Sequence, residues 1–179
     1  LSVDRLAFED RAYINSTRES AGGRGINAAW VLHSFGTEAL AVLMSGGSSG
    51  KRLEAHVQNL GFRFSVVPIA NEIRTNLTIT DRHGLTVNLN ESGPEVTKAG
   101  LARVERGIRD LLGKASWFMV GGSLPLGVPP SFYEKLIGMA RLKKVKTLLD
   151  AGGPELEAGI EGRPTVVTPN QHEAEHLLG

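Results

Sequence analysis

Short apolar runs that alternate with helical segments constrain this chain more than any other feature. Ala39 to Leu43 precedes Leu53, Val57 and Leu60, which share one helical face ended by Gly61, and Phe62 to Val67 reads as the next strand. Trp117 to Val120 leads into a helix starting near Pro130, Val145 to Leu149 into one near Pro154, and Thr165 to Thr168 into the final stretch. Strands alternating with helices imply βαβ units and a mainly parallel sheet. Upstream, Ala28, Val31, Leu32 and Phe35 recur at i, i+3, i+4 and i+7, which predicts a helix that Gly36 stops. The rhythm breaks once. Leu77 and Ile79 alternate with threonines, Asp81 to Gly84 makes a turn, and Leu85, Val87 and Leu89 alternate again, as in a β-hairpin with one polar face. Residues 1–20 are polar and carry no clear period. No repeat, linker or low-complexity segment divides the chain, so the expectation is one α/β domain over residues 1–179 with a small β-structured appendage.

With 179 residues, 41% hydrophobic and 22% charged, the chain has the composition of a globular domain with a sizeable core. A formal net charge of +1 supplies no field for nucleic acid or an acidic membrane, and neither is expected as a partner. The absence of cysteine removes disulfides, thiolate catalysis and cysteine-ligated metal. No apolar run approaches the roughly 18 residues of a membrane span, so a cytoplasmic protein is the default expectation. The chain opens on Leu1 and stops in an unfinished helix, and both ends are expected to be incomplete.

Three segments carry candidate chemistry before the C-terminus. Ala21-Gly22-Gly23-Arg24-Gly25-Ile26-Asn27 places bare backbone N–H groups ahead of a helix, where the dipole favours anions and polar groups; a plain turn and helix cap is the alternative. Gly23-x-Gly25-x-x-Ala28 also fits the dinucleotide fingerprint, but that needs a buried strand just before it, and Ile14 to Ser20 is too polar. Ile73-Arg74-Thr75-Asn76 offers a guanidinium fork suited to phosphate and an amide suited to sugar hydroxyls; a solvated arginine at a strand start is the alternative. Val120-Gly121-Gly122-Ser123-Leu124-Pro125 lies at the carboxyl end of an apolar strand, where open α/β sheets bind ligands, although an ordinary strand-to-helix turn has the same pattern.

The end of the chain, Thr168-Pro169-Asn170-Gln171-His172-Glu173-Ala174-Glu175-His176, admits three readings. His172-Glu173-x-x-His176 has zinc-hydrolase spacing, but no downstream third ligand follows. Asn170 and Glu173, at the end of a parallel strand, suit the hydration shell of magnesium and nucleotide phosphates. The same two residues also suit a helix capping box.

Taken in order, the segments resemble the PfkB (ribokinase-like) carbohydrate kinases, especially the sugar-phosphate branch of 1-phosphofructokinase and tagatose-6-phosphate kinase. AGGRGINAAWVLHSFG is similar to the family's first signature, with Arg24 where lysine is commoner. IRTNLTI with LNESGPE, GGSLPLGVPPSFY, and LLDAGG with TPNQHEAEHLLG resemble its later segments in register. The resemblance implies that Gly22, Gly23 and Asn27 contact the sugar, that Arg74 and Asn76 hold the substrate's existing phosphate, and that Ser123 lines the same pocket. It implies that Asn170 and Glu173 face magnesium and ATP phosphates, leaving His172 and His176 as incidental surface residues. Asp4 resembles the aspartate that ends the family's first strand and binds sugar hydroxyls. Only 17 residues separate it from Gly22, fewer than the family has. Asp4 is therefore either a lid-borne aspartate or preceded by absent residues, and the second is preferred.

The implied activity is ATP-dependent phosphorylation of fructose 1-phosphate or tagatose 6-phosphate. A β-lid contributed by about residues 5–20 and 73–90 would close over the sugar and pair two subunits into a homodimer. The catalytic aspartate and its Gly-Ala-Gly-Asp anion hole are expected beyond residue 179. The alternatives are a kinase of unphosphorylated sugars or nucleosides, a catalytically silent sugar-phosphate binding protein, and, remotely, the zinc hydrolase.

Overall fold

Five parallel strands form the base of the molecule, in two separate ladders. The computed structural model describes residues 1–5 and 10–179. In the first ladder, β3 (Leu40–Ser45) runs parallel to β4 (Arg63–Pro68), joined by α2 (Gly47–Leu60). In the second, β7 (Trp117–Gly121), β8 (Lys146–Asp150) and β9 (Val166–Val167) lie side by side and parallel. Their crossovers are α4 (Phe132–Leu142) and α5 (Gly153–Glu161), and α6 (Gln171–Leu178) follows β9. The alternating strands and helices expected from the apolar rhythm are therefore present.

The crossover helices exist because each carries an apolar stripe that the sheet can cover. Val104, Ile108 and Leu112 of α3 (Lys98–Leu112) join Val120 of β7, Leu136 and Ile137 of α4, Leu149 of β8 and Leu156 of α5 in one buried cluster. A second cluster contains Ile26 and Ala29 of α1 (Arg24–Ser34), Ala41 and Leu43 of β3, Val57 of α2, and Phe62. Helix α3 is absent from the sequence expectations. Its signal was there: Thr97 accepts a hydrogen bond from Gly100 N–H (3.1 Å), followed by apolar residues every fourth position.

For α1 the helix is as expected but the buried face is not. The predicted inward stripe included Val31, Leu32 and Phe35, yet these are exposed, Phe35 at 81%. The helix instead rests on Ile26 and Ala29. Two apolar stripes compete on α1, and the position of β3 selects the other one.

A four-stranded sheet of order β2-β1-β5-β6 is separate from the parallel ladders. It contains β1 (Ser2–Val3), β2 (Ile14–Ser16), β5 (Asn76–Asp81) and β6 (Thr86–Asn90). The hairpin β5–β6 pairs Asn76 with Asn90 and turns on Asp81, whose carboxylate accepts from the N–H groups of His83 and Leu85. Strands β5 and β6 fall in the expected lid segment 73–90 and β2 in 5–20. Strand β1 precedes that segment, and its residues 6–9 lie outside the described ones.

The strand that precedes Asp4 does not belong to the parallel ladders. Here β1 pairs antiparallel with β2 and parallel with β5, and the Asp4 carboxylate accepts from Asn15 Nδ2 at 2.9 Å. Asp4 thus directly follows a strand of the separate sheet.

Leu149 is fully buried between α4 and α5, with Gly159 packed directly on it. Leu149→Ala should lower the unfolding free energy of the intact protein by about 2–5 kcal/mol, since the cavity cannot collapse against strand backbone. A thermal or urea melt checks this; a loss below about 1 kcal/mol would show that β8 is not at the centre of the core.

Candidate functional site

The chemistry-bearing segments meet where β7 and β8 end. Gly121 stands opposite Asp150 in register. A Cβ on Gly121 would sit 2.3 Å from the Asp150 carbonyl oxygen, so only glycine permits this approach. Gly122 N–H donates to the same oxygen at 2.8 Å. From α4, the Tyr133 hydroxyl donates to the Gly121 carbonyl (2.9 Å) and lies 3.3 Å from that of Gly122. Burial pushes the Tyr133 phenol up to about 12, and the Glu155 carboxylate adds to the rise. The charges of Arg24 and Arg74 act on it in the opposite sense. Both arginines are therefore felt at this strand end, near the turn that carries the exposed Ser123.

The glycine loop arrives from the other side. Gly23 is the N-cap of α1 and offers no side-chain acceptor, so the first N–H groups of the helix lack one; Asn27 N–H bonds back to the Gly23 carbonyl at 2.9 Å. Gly22, Gly23 and Asn27 are all exposed. Arg24 anchors the loop to the base, donating through Nη1 to the Asp150 carbonyl at 2.9 Å and to its carboxylate.

The hinge that carries Arg74 and Asn76 into β5 is fastened at several points. Helix α2 begins on Gly46 with no side-chain cap of its own, and the carboxylate of Glu72 takes that place. It accepts from the N–H groups of Ser48 and Ser49 at 2.8 Å each, and from both serine hydroxyls. These donors, the Ser49 hydroxyl first, hold the Glu72 carboxyl down at about 2. Beyond Arg74, Thr75 N–H donates to Glu91 at 2.7 Å. The Arg74 chain lies over Gly93, whose Cβ position is 3.5 Å from Arg74 Cδ. Asn71 Nδ2 bonds to the Glu95 carbonyl at 3.3 Å, and Glu95 bridges to Leu126 in the turn after β7. The segment before β5 is thus tied through Glu95 to Leu126. Sequence reasoning missed Glu72; a capless Gly46-Gly47-Ser48-Ser49 helix start was the available signal.

At α6 the capping box is formed. Glu173 N–H donates to Asn170 Oδ1 (2.9 Å) and Asn170 N–H to Glu173 Oε2 (2.8 Å). The other carboxylate oxygen lies against Gly152, whose Cβ position is 2.6 Å away, bringing α6 to the loop after β8. His176 pairs with Glu157 at 3.2 Å and both histidines are exposed. Among the described residues no three carboxylate or imidazole groups are placed together to hold a metal.

Comparison with known proteins gives this arrangement its family. The family model for pfkB family carbohydrate kinases matches residues 1–179, and the chain belongs to that family. A possible 1-phosphofructokinase from Thermotoga maritima is similar over 96% of this chain and 56% of its own, at 27% identity and a TM-score of 0.88. Phosphofructokinase-2 from Escherichia coli in complex with fructose-6-phosphate matches 99% of this chain and 59% of its own, at 23% identity and a TM-score of 0.92; at that identity the likeness shows the fold. The tetrameric inhibited form of the same Escherichia coli enzyme matches at a TM-score of 0.88 and 22% identity, over 99% of this chain and 59% of its own. The chain therefore spans well under two thirds of the length of these structures.

Gly121→Ala forces a methyl group into the Asp150 carbonyl and should destabilise the intact protein by about 1–3 kcal/mol. Gly138→Ala, at an α4 position with open space around it, should instead stabilise by about 0.4–1 kcal/mol. Melting curves of the two variants check the pair, and a Gly121→Ala protein as stable as the parent would mean the strand ends do not meet this closely.

Proposed function

We propose that this chain forms the sugar-binding part of an ATP-dependent kinase that phosphorylates a hydroxyl of a sugar phosphate, with fructose 1-phosphate or tagatose 6-phosphate as substrate. The observation that carries the reading is the state of Arg74. Among the described residues it makes no ion pair and no hydrogen bond, although two carboxylates, Glu72 and Glu91, lie within the same hinge and loop. Both of those are engaged by backbone N–H groups. A guanidinium left uncompensated at the mouth of a family site is suited to a phosphate dianion, which it can bind through two parallel N–H groups.

The other groups take roles around that anchor. Asn76 holds the same phosphate. Gly22, Gly23 and Asn27 at the N-terminus of α1 contact sugar hydroxyls, Ser123 lines the pocket, and Asp4 approaches from the lid. Phosphoryl transfer depends chiefly on placing one hydroxyl in line with the transferred group and on neutralising charge. Asn170 and Glu173 face the ATP phosphates. Their amide and carboxylate oxygens suit magnesium held through water, an ion that keeps several waters of its own. Bound there, magnesium would supply charge neutralisation on the phosphates. The carboxylate that accepts the hydroxyl proton, with its anion hole, is assigned to the protein beyond residue 179.

The sheet β2-β1-β5-β6 acts as a lid over the sugar, excluding the water that would otherwise hydrolyse ATP. Its exposed Tyr13, Ile14, Leu77, Leu85 and Leu89 support a homodimer formed through the lid. No helix of the described residues is long and apolar enough to cross a membrane.

Arg74→Ala in the intact protein should raise the Michaelis constant for the sugar phosphate roughly ten- to a hundredfold, the worth of a charge-assisted bond of about 1.5–3 kcal/mol. The constant for ATP should hardly move, and an equal loss for ATP would place Arg74 on the wrong substrate. In a separate series, Glu173→Gln should weaken magnesium-dependent turnover about tenfold or more. Replacing His172 and His176 together by alanine should leave turnover nearly unchanged. Loss of activity in the double histidine variant, restored by zinc, would remove Asn170 and Glu173 from the assignment.

A further inference from the structure

The Glu72 carboxylate does for α2 what an N-cap side chain normally does, but from a segment more than twenty residues downstream. Gly46 has no side chain to satisfy the free N–H groups of the first turn, and Glu72 accepts from the second and third of them. The helix dipole favours a negative charge at this end. The two glycines before the serines make room for the incoming segment. A Cβ on Gly46 would lie 2.2 Å from the Asn71 carbonyl oxygen, and one on Gly47 would lie 2.1 Å from the Glu72 carboxyl carbon. Gly47 also has a positive φ of 65°. The Ser49 hydroxyl, besides meeting the carboxylate, lies 3.1 Å from the Ile73 carbonyl, directly before Arg74.

We propose that Glu72 is a positioning residue for substrate recognition: seated on the N-terminus of α2, it fixes the backbone of residues 71–73 and so sets Arg74 where a sugar phosphate can reach it. The inference rests on the reading of Arg74 given above. The latch has two effects. It anchors the hinge to a helix of the rigid base, with the Thr75–Glu91 bond pinning the other side of Arg74. It also satisfies a carboxylate that would otherwise compete with the incoming phosphate for the guanidinium two residues away. Glu72 need not touch the substrate to do either. The depressed Glu72 pKa agrees with a carboxylate kept ionised by these donors.

The test uses the intact protein, with initial rates measured while fructose 1-phosphate or tagatose 6-phosphate, whichever turns over, and ATP are varied separately. Glu72→Gln keeps the shape but removes the charge and half of the acceptors. Misplacement by 1 Å can cost up to about a hundredfold, so Glu72→Gln should raise the sugar-phosphate Michaelis constant about tenfold. The ATP constant should be unchanged, and Glu72→Asp should recover part of the loss. The deciding comparison is the pair with Arg74→Ala. In that background Glu72→Gln should add almost nothing, because its effect runs through Arg74.

If Arg74→Ala raises the sugar-phosphate constant but Glu72→Gln does not, the latch is wrong and the function stands. If Arg74→Ala has no effect, the functional reading fails and takes the latch with it. Equal losses for both substrates, or losses that multiply in the double variant, would mark Glu72 as a purely structural cap and overturn the proposal. Should Glu72→Gln fail to fold, Ser49→Ala, which removes one hydroxyl donor, is read in the same way with a smaller expected rise of about threefold.

Discussion

The backbone carbonyl of Asp150 accepts two hydrogen bonds, from Gly122 N–H at 2.8 Å and from Arg24 Nη1 at 2.9 Å. Through it, the turn after β7 and the glycine loop before α1 are held at one strand end, although Arg24 and Asp150 are 126 residues apart in the chain. The geometry matters more than the energy. Arg24 is 43% exposed, and an ion pair in that setting adds only about 0–1 kcal/mol. What it supplies is register: Gly121 can approach because it lacks a side chain, Tyr133 closes the far side, and the exposed residues Gly22, Gly23, Asn27 and Ser123 belong to the segments so joined. Ligands in open α/β sheets lie at such carboxyl ends, because there the loops of several strands converge on one place.

Around this base the β2-β1-β5-β6 sheet is attached differently. The large buried clusters belong to the parallel ladders and their helices, whereas the separate sheet exposes leucines from both strands of its hairpin. Polar contacts fasten the chain leading into it: Glu72 binds the start of α2, Asn71 bonds to Glu95, and Thr75 N–H ties the start of β5 to Glu91 just after β6. Segments held by few apolar contacts are those that open most easily. The chain around Arg74 is held by hydrogen bonds, several of which crowd into the few residues before β5.

The parts of this arrangement that were legible in the sequence are those that depend on local period. The apolar runs became β3, β4, β7 and β8, and alternation along Leu77, Ile79, Val87 and Leu89 became the hairpin. The periodic stripe on α1 showed a helix but not its orientation, because Ile26 and Ala29 compete with Val31, Leu32 and Phe35 and only the neighbouring strand decides. Helix α3 was missed amid its many charges, though Val104, Ile108 and Leu112 repeat every fourth residue. The sheet membership of β1 was not legible, because a two-residue strand carries no period at all; it is identified only by pairing with β2 and β5. The Asp150 and Glu72 contacts lie beyond local reading. Each joins distant segments, and each involves backbone groups that every residue type possesses.

Those contacts leave the two arginines near Tyr133 in different states. Arg24 and Arg74 both act electrostatically on Tyr133, so their charges share one region. Arg24 is compensated, its guanidinium joined to the Asp150 carboxylate and carbonyl. Among the described residues Arg74 makes no ion pair, and two nearby carboxylates, Glu72 and Glu91, are turned onto backbone N–H groups instead. Pairing with either would have lowered the energy of the empty site and weakened binding of an anion by the same interaction, since a phosphate must then displace a carboxylate already in contact. Among the described residues, one arginine is thus held by the base, while the other makes no ion pair because the carboxylates of Glu72 and Glu91 serve backbone N–H groups.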